Sequence, residues 1–345
     1  MELDIWGYVA KYIKHNNDKC RLMMTCKWIS ECEFWFTEPI EIEKITELKW
    51  FDHFCSIYAR KKIKLPKLTN YLIILFNEPV NDYVPSTVIH LEFHESFNQP
   101  IDGCIPLSVT HLSFFGNFNQ PINECISSSV THLSFYGIFN QPINRCIPSS
   151  VIFMELGNSC DQSISNIPSS VTHLRLHGKG RYIPTSVTHL HLYKKPIQIP
   201  TSIQYLSIRK NYPDVIFPSS ITNLTLNYQF FSGGSKIPLS VTHLQFGINR
   251  TGKMRSDIFT YKFAKKLIPS SVKYLTFGNT FDLPIENCIP STVTHLTFSK
   301  YFTQSIKNNI PTSVVQITFL AKRKYLRDDI REYASKNNIE IVFNY

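Results

Sequence analysis

Seven histidines, His90, His111, His132, His173, His189, His243 and His295, occupy the same place in a phrase that the chain repeats. An imidazole can ligate a transition metal or move a proton near neutral pH. If the phrases were adjacent strands, successive rings would stand about 4.8 Å apart, and a metal ladder becomes conceivable. Zinc sites, however, mix close-set ligands with carboxylates or thiolates whose far sides are themselves held. An outward strand residue copied by duplication explains the column more simply, so no metal is expected. Cys104, Cys125, Cys146 and Cys288 form a second column, one residue ahead of the repeat's isoleucine. Cysteine packs as a small apolar residue, which predicts a row of buried thiols. His15, Cys20, Cys26 and Cys32 are too widely spaced for a zinc knuckle. The chain contains no G-x-S-x-G, G-x-x-x-x-G-K-[ST], H-E-x-x-H or G-x-G-x-x-G. Pairs such as His90 and Glu92 fall on repeated outward positions, so no catalytic residue, cofactor or enzymatic activity is expected.

The element that positions these columns is a variant of I-P-x-S-V-T-H-L-x-F, found twelve times. It is clearest from Ile105, Ile126, Ile167, Ile183, Ile237 and Ile289, and weaker from Val84, Ile147, Ile199, Phe217, Ile268 and Ile310. A degenerate copy from Leu65 extends the series backwards. Val109, Leu112 and Phe114 stand at the L-x-x-L-x-L spacing of a leucine-rich repeat. That spacing predicts a short strand with Leu112 and Phe114 inward, His111 and Ser113 outward. Pro106 sets the turn before it. Between strands runs a second signature, Phe97-Asn98-Gln99-Pro100-Ile101 and its relatives from Phe76, Phe118, Phe139 and Phe281. One or two prolines in each interval predict turns and extended or 3-10 segments on the outer side, not long helices. No copy can bury its apolar face alone, so the copies must stack.

Composition narrows the class. The 345 residues (40.0 kDa) are 43% hydrophobic and 18% charged, unlike a disordered chain. No apolar run reaches the roughly 18 residues of a membrane-spanning helix. The opening MELDIWGYVA places acids where a signal peptide is basic. Nine cysteines are too sparse for a disulfide scaffold. An intracellular, cytoplasmic chain with no membrane partner is expected. Charge is split within the net +10: Leu65 to Ser170 holds two basic and eight acidic residues, Val171 to Phe319 seventeen basic and four acidic. The step between Val241 and Val272 contains a basic insertion, Asn249 to Lys266, expected to loop out.

The ends carry no repeat. Leu3, Ile5, Val9, Tyr12 and Ile13 have helical spacing, as do Leu22, Met23, Cys26 and Ile29. We expect a helical module over residues 1–40, a linker and cap over 41–64, a repeat solenoid over 65–319 and a cap over 320–345. In that last segment Lys324 to Lys336 reads as an amphipathic helix, stopped by Asn337 and Asn338, and Ile339 to Phe343 as a final strand.

The repeats resemble the FNIP repeat family, named for its Phe-Asn-x-Pro motif. The N-terminus resembles an F-box through Leu3-Asp4-Ile5-Trp6, Val9, Tyr12, Ile13 and Leu22-Met23-Met24-Thr25-Cys26-Lys27-Trp28, without the Leu-Pro that commonly opens one. Chains joining the two occur in amoebae and large DNA viruses. The resemblance implies a substrate-recognition adaptor of a cullin-RING ubiquitin ligase, in the host cytoplasm if viral. Leu3, Ile5, Val9, Leu22, Cys26 and Trp28 would contact a Skp-family linker subunit, and the repeats would hold an unidentified target protein. The implied fold is α+β: a small F-box-like helical module, a leucine-rich-repeat-like parallel β-solenoid with short irregular outer segments, and a helix/strand cap.

The outward columns supply the target-binding candidates. His94, Phe115, Tyr136, His177 and Tyr193 fall just after the core position, and Arg175 and His191 in the row before, an outward row they share with Glu92 and Glu155. Aromatic residues beside charges are the composition of a protein-binding surface. Two other readings compete: a nucleic-acid-binding solenoid using the basic stretch from Arg175 onwards, or a repeat scaffold without ligase recruitment. The acidic first half would repel a phosphate backbone, so nucleic acid is not the expected partner.

Overall fold

The computed structural model describes residues 36–49, 51–178, 182–194, 198–209, 215–226, 236–246, 268–278, 281–282, 284–299, 302–306, 308–320 and 328–343, with His15, Asp18, Lys19 and Arg21. The six linker-contact candidates Leu3, Ile5, Val9, Leu22, Cys26 and Trp28 lie outside the described residues, as does the basic insertion 249–266. The chain divides into two compact units, Met1–Val171 and Thr172–Tyr345. That boundary coincides with the change of charge sign along the sequence.

The first unit is a stack of seven parallel strands: β1 Ile40–Glu41, β2 Ser56–Ala59, β3 Tyr71–Ile74, β4 His90–Phe93, β5 His111–Phe114, β6 His132–Phe135 and β7 Phe153–Leu156. The second stacks nine: β8 His173–Leu176, β9 His189–Leu192, β10 Tyr205–Ile208, β11 Asn223–Leu226, β12 His243–Phe246, β13 Tyr274–Phe277, β14 His295–Phe298, β15 Gln316–Phe319 and β16 Glu340–Phe343. Each of the twelve copies forms one strand, β4 to β15, and the degenerate copy forms β3. The strands pair in chain order within each unit, the arrangement of a parallel solenoid. Pairing has no offset: His111, Leu112, Ser113 and Phe114 face His132, Leu133, Ser134 and Phe135. A parallel ladder without offset places like residues on like, so each repeat position becomes a column.

Every letter of the repeat has a task. Ile105 and Val109 are buried. The Pro106 carbonyl accepts the Val109 N–H at 3.0 Å, closing the turn. The serine hydroxyl donates to the preceding copy, Ser129 to the Val109 carbonyl at 2.8 Å and Ser150 to Val130 at 2.7 Å. The Thr110 carbonyl accepts two N–H groups of the next copy, from Thr131 and His132. Leu112 and Phe114 are fully buried. Phe93, Phe114 and Phe135 stack at 5.1 and 5.2 Å, and each rests on the phenylalanine of the following signature, Phe114 on Phe118 at 4.1 Å. The second unit repeats this with Phe277, Phe298 and Phe319 at 5.7 Å intervals.

The Phe-Asn-x-Pro signature is a second ladder, built from side chains. Asn98 Oδ1 accepts the Asn119 N–H at 2.9 Å and the Gln120 amide at 3.1 Å, and Asn119 Oδ1 accepts the Asn140 N–H at 2.9 Å. This satisfies backbone donors on the outer side, where there is no sheet. Two further rungs escape notice in the sequence, because neither keeps both Phe and Pro. In Cys160-Asp161-Gln162-Ser163-Ile164 the Asp161 N–H bonds Asn140 Oδ1 at 2.8 Å. In Phe302-Thr303-Gln304-Ser305-Ile306 the Thr303 N–H bonds Asp282 Oδ1 at 2.6 Å.

The described outer segments of the repeats are turns and extended chain, as their prolines require. Gly116 and Gly137, just after two strands, have φ of +61° and +64°. β1 begins at Ile40, the last residue of the expected helical module, and the stretch expected to be linker and cap, 41–64, contains its other residue, β2 and two 3-10 turns, Ile42–Lys44 and Phe51–His53, with β2 pairing directly with β3. At the other end, α1 is described over Asp328–Lys336, with Ile330 and Ala334 buried. Asn338 adopts φ of 53°, and the Ile339 N–H bonds the Ala334 carbonyl, which ends the helix and leads the chain into β16. Among the described residues no helix is long and apolar enough to cross a membrane.

Candidate functional site

Three outward columns cover each sheet, from the first and third residues of every strand and the residue after the fourth. In the first unit the leading column holds Tyr71, His90, His111, His132 and Phe153. From His90 onward the rings stack rather than stand apart, His90 to His111 at 4.2 Å and His111 to His132 at 4.1 Å, while Tyr71 meets His90 edge-on at 5.6 Å. In the second unit His173, His189 and Tyr205 stack at 4.0 Å, and Tyr274 lies 4.2 Å from His243 and 4.5 Å from His295. Most of these imidazoles are therefore half-buried, not the open surface the repeat pattern predicts. In six of the seven copies with histidine, all but His90, which follows Ile89, Nδ1 sits 2.9 Å from the hydroxyl of the threonine before it, as in Thr110–His111 and Thr131–His132. Asn223 takes the histidine place in β11 and keeps the bond, accepting from the Thr222 hydroxyl at 2.9 Å.

Stacking has an electrostatic consequence. Burial, then the neighbouring His90 and His132, pushes the His111 imidazole down to about 4. Burial lowers His189 and His243 as well, His173 adding to the effect on His189. At His111 the unfolded chain therefore takes up its proton first, near pH 6.5, and the folded chain only near pH 4. Stability should be full above about pH 6.5 and fall as the pH drops towards 4. A His111→Asn variant, which copies the natural Asn223 arrangement, should lose less thermal stability between pH 7 and pH 4.5 than the parent. Identical acid sensitivity in the two would show that the stack is not responsible.

The cysteine column is Cys104, Cys125 and Cys288 buried, with Cys146 half-exposed. Its thiols are donors. Cys125 reaches Asp102 Oδ1 and Cys146 reaches Asn123 Oδ1, both at 3.1 Å and both in the preceding copy. Burial, then the Asp102 carboxylate, pushes the Cys125 thiol up to about 12, so it is not a nucleophile near neutral pH. Among the described residues no three His, Cys, Asp or Glu side chains are grouped as a metal ion requires.

The column expected to bind a target is an aromatic stack too. In the first unit His94, Phe115 and Tyr136 stack at 4.4 and 4.5 Å. Between this rail and the histidine rail the middle column sinks: Ser134 is 7% and Glu155 4% exposed, although both point away from the core. Glu155, expected on the open surface, is thus buried. Glu92, in the same column, accepts the Tyr71 hydroxyl at 2.6 Å and faces His94 Nε2 at 3.1 Å. Burial and then that carboxylate raise the Tyr71 phenol, keeping it a donor. These bonds hold the end of the rail in place, and the stacked rings turn their edges outward.

In the second unit His177 and Tyr193 stack at 3.7 Å, and the Arg209 guanidinium continues the pile 4.7 Å from the Tyr193 centroid. Arg209 Nε donates to His191 Nε2 at 3.2 Å. Arg175 is exposed in the middle column beside His191, its partner in the β8–β9 ladder. The sequence pattern joined these residues correctly by column. It did not single out Arg209 as the third member of the pile, although the place directly after Ile208 was the available signal.

The FNIP Repeat family model matches residues 61–117, 97–137, 118–145, 139–179, 259–301 and 281–320, together just over half of the chain. Among solved structures, the chain is similar to CroV588, described as a novel circular LRR protein, with 24% identity and a TM-score of 0.48. The match covers 79% of this chain and 51% of that one, so the chain spans about half the length of the solved protein. No curated protein matches.

Proposed function

Since this chain belongs to the FNIP repeat family, we propose that it is an interaction scaffold whose outward sheet columns grip another protein, and that it serves as the substrate-recognition adaptor of a cullin-RING ubiquitin ligase. The observation that carries the scaffold reading is the pair of ordered rails on the first unit's sheet, with His94, Phe115 and Tyr136 stacked along one side. Aromatic residues held in place by their neighbours lose little entropy on binding and supply large contact area. Ligase recruitment rests on the F-box-like residues Leu3, Ile5, Val9, Leu22, Cys26 and Trp28, whose apolar side chains suit a Skp-family groove.

The test is co-purification of the full chain with a Skp-family subunit. Association is expected, and it should be lost on changing Leu3→Asp and Ile5→Asp. Phe115→Ala with Tyr136→Ala should leave that association unchanged and remove the target. Absence of Skp binding in the parent chain would leave a scaffold without ligase recruitment, the second reading.

A further inference from the structure

We infer that the second unit carries a binding face for a neutral oligosaccharide chain, laid across the strands from β12 onwards on two outward columns: His243, Tyr274 and His295 in one, Gln245, Thr276 and Thr297 in the other. This face shares no residue with the His94, Phe115 and Tyr136 rail, and its ligand is not a protein. Three observations converge. The columns are in register, His243 pairing with Tyr274 and Tyr274 with His295, as Gln245 does with Thr276 and Thr276 with Thr297. Thr318 extends the second column into β15. Strands about 4.8 Å apart make four rungs a row of about 14 Å, the reach of a short oligosaccharide. The first and third residues of β12 to β15 include no Asp, Glu, Lys or Arg. And the polar groups of the face are not used internally. Among the described residues, nothing hydrogen-bonds to the Gln245 amide or to the hydroxyls of Tyr274, Thr276, Thr297 and Thr318. His243 and His295 turn Nδ1 to the preceding threonine hydroxyl at 2.9 Å, which leaves each Nε2 for a ligand.

The middle column of the first unit is closed by comparison. Glu92 there is bonded to Tyr71 and His94, and Ser134 and Glu155 are buried. In the second unit Gly278 and Ser299 stand where the first has Phe115 and Tyr136, so no aromatic rail rises beside Thr276 and Thr297. Those two threonines are half-exposed, Gln245 is exposed and Tyr274 is 40% exposed. Hydroxyl and amide groups both donate and accept, as the hydroxyls of a sugar do. Their geometry is set in advance. Threonine is stiff at χ1, and Tyr274 is held between His243 and His295 at 4.2 and 4.5 Å, so little freedom is lost on binding. Burial lowers the His243 imidazole from its ordinary value, which keeps it uncharged near neutral pH. A protein partner would need an apolar or aromatic anchor, but the faces of the Tyr274 ring are taken up by the stack. Nucleic acid would need cations within the columns, and they hold none.

The test uses the full chain and isothermal titration calorimetry, with cellohexaose and chitohexaose as neutral probes and hexagalacturonate as an anionic one. At least one neutral hexasaccharide should bind, with an affinity that about 0.5 M sodium chloride leaves unchanged. Thr276→Val with Thr297→Val keeps shape and strand preference and removes two hydroxyls, so binding should weaken about 5-fold or more. Gln245→Ala, at an exposed position, gives a second reading, a loss of about 3-fold or more. Lys273→Gln, removing the exposed charge just ahead of β13, should change binding less than about 2-fold. Thermal unfolding checks that the variants fold. No binding of either neutral probe at millimolar concentration would overturn the inference. So would unchanged binding in the folded threonine and glutamine variants, or tighter binding of hexagalacturonate that depends on Lys273.

Discussion

Gly137→Ala should destabilise the protein by about 3 kcal/mol or more, among the most damaging single changes available to it. A Cβ built on Gly137 falls 2.0 Å from the Gly116 carbonyl oxygen, and the residue adopts φ of +64°. Both atoms in that collision are held by the backbone of stacked turns, since the Ile138 N–H bonds the same Gly116 oxygen at 3.0 Å. No rotamer change relieves it. Gly103→Ala is the matched control. Its φ is +66° but nothing lies within 4 Å of its Cβ, so only the left-handed backbone is penalised, at about 1 kcal/mol. Chemical denaturation of the two variants separates close approach from backbone strain. Equal losses would mean that the turns are not in contact as described.

Neighbouring phenylalanines should give losses of very different size. Phe114→Ala is expected to cost about 3–5 kcal/mol, because the ring is fully buried and stacked on Phe93, Phe135 and Phe118. Phe115→Ala removes a half-buried ring between His94 and Tyr136, a contact worth about 0.5–1.5 kcal/mol. The difference tests the pleat directly, since one residue of register exchanges core and surface. Comparable losses at the two positions, measured by urea unfolding, would rule out the stacked arrangement.

The same contrast shows what could be read in advance. Val109, Leu112 and Phe114 were legible as core because their spacing states which residues share a face, and their burial agrees. The histidine column was legible as a column but not as a pile of half-buried rings. Whether a repeated side chain stands free or lies on its copy depends on strand spacing and zero offset, neither of which one copy encodes. Glu155 was misplaced for a related reason: its outward direction was right, but a side chain that points away from the core need not reach solvent, and this one is buried. β2, Ser56-Ile57-Tyr58-Ala59, has no repeat phrase to announce it, yet it pairs with β3 residue for residue.

For the candidate site, the sequence by itself determined which residues share a column, from His94 through Tyr193, because duplication copies a position together with its direction from the sheet. It also determined the change of charge at the unit boundary. Tertiary structure alone decided that Asn98 holds the backbone of Asn119, that Asp161 and Thr303 continue that ladder without its motif, and that Arg209 lies on Tyr193. Such bonds join residues some sixteen to twenty-one places apart, and they exist only once the copies lie parallel and unshifted, when a small side chain can reach the next turn's backbone.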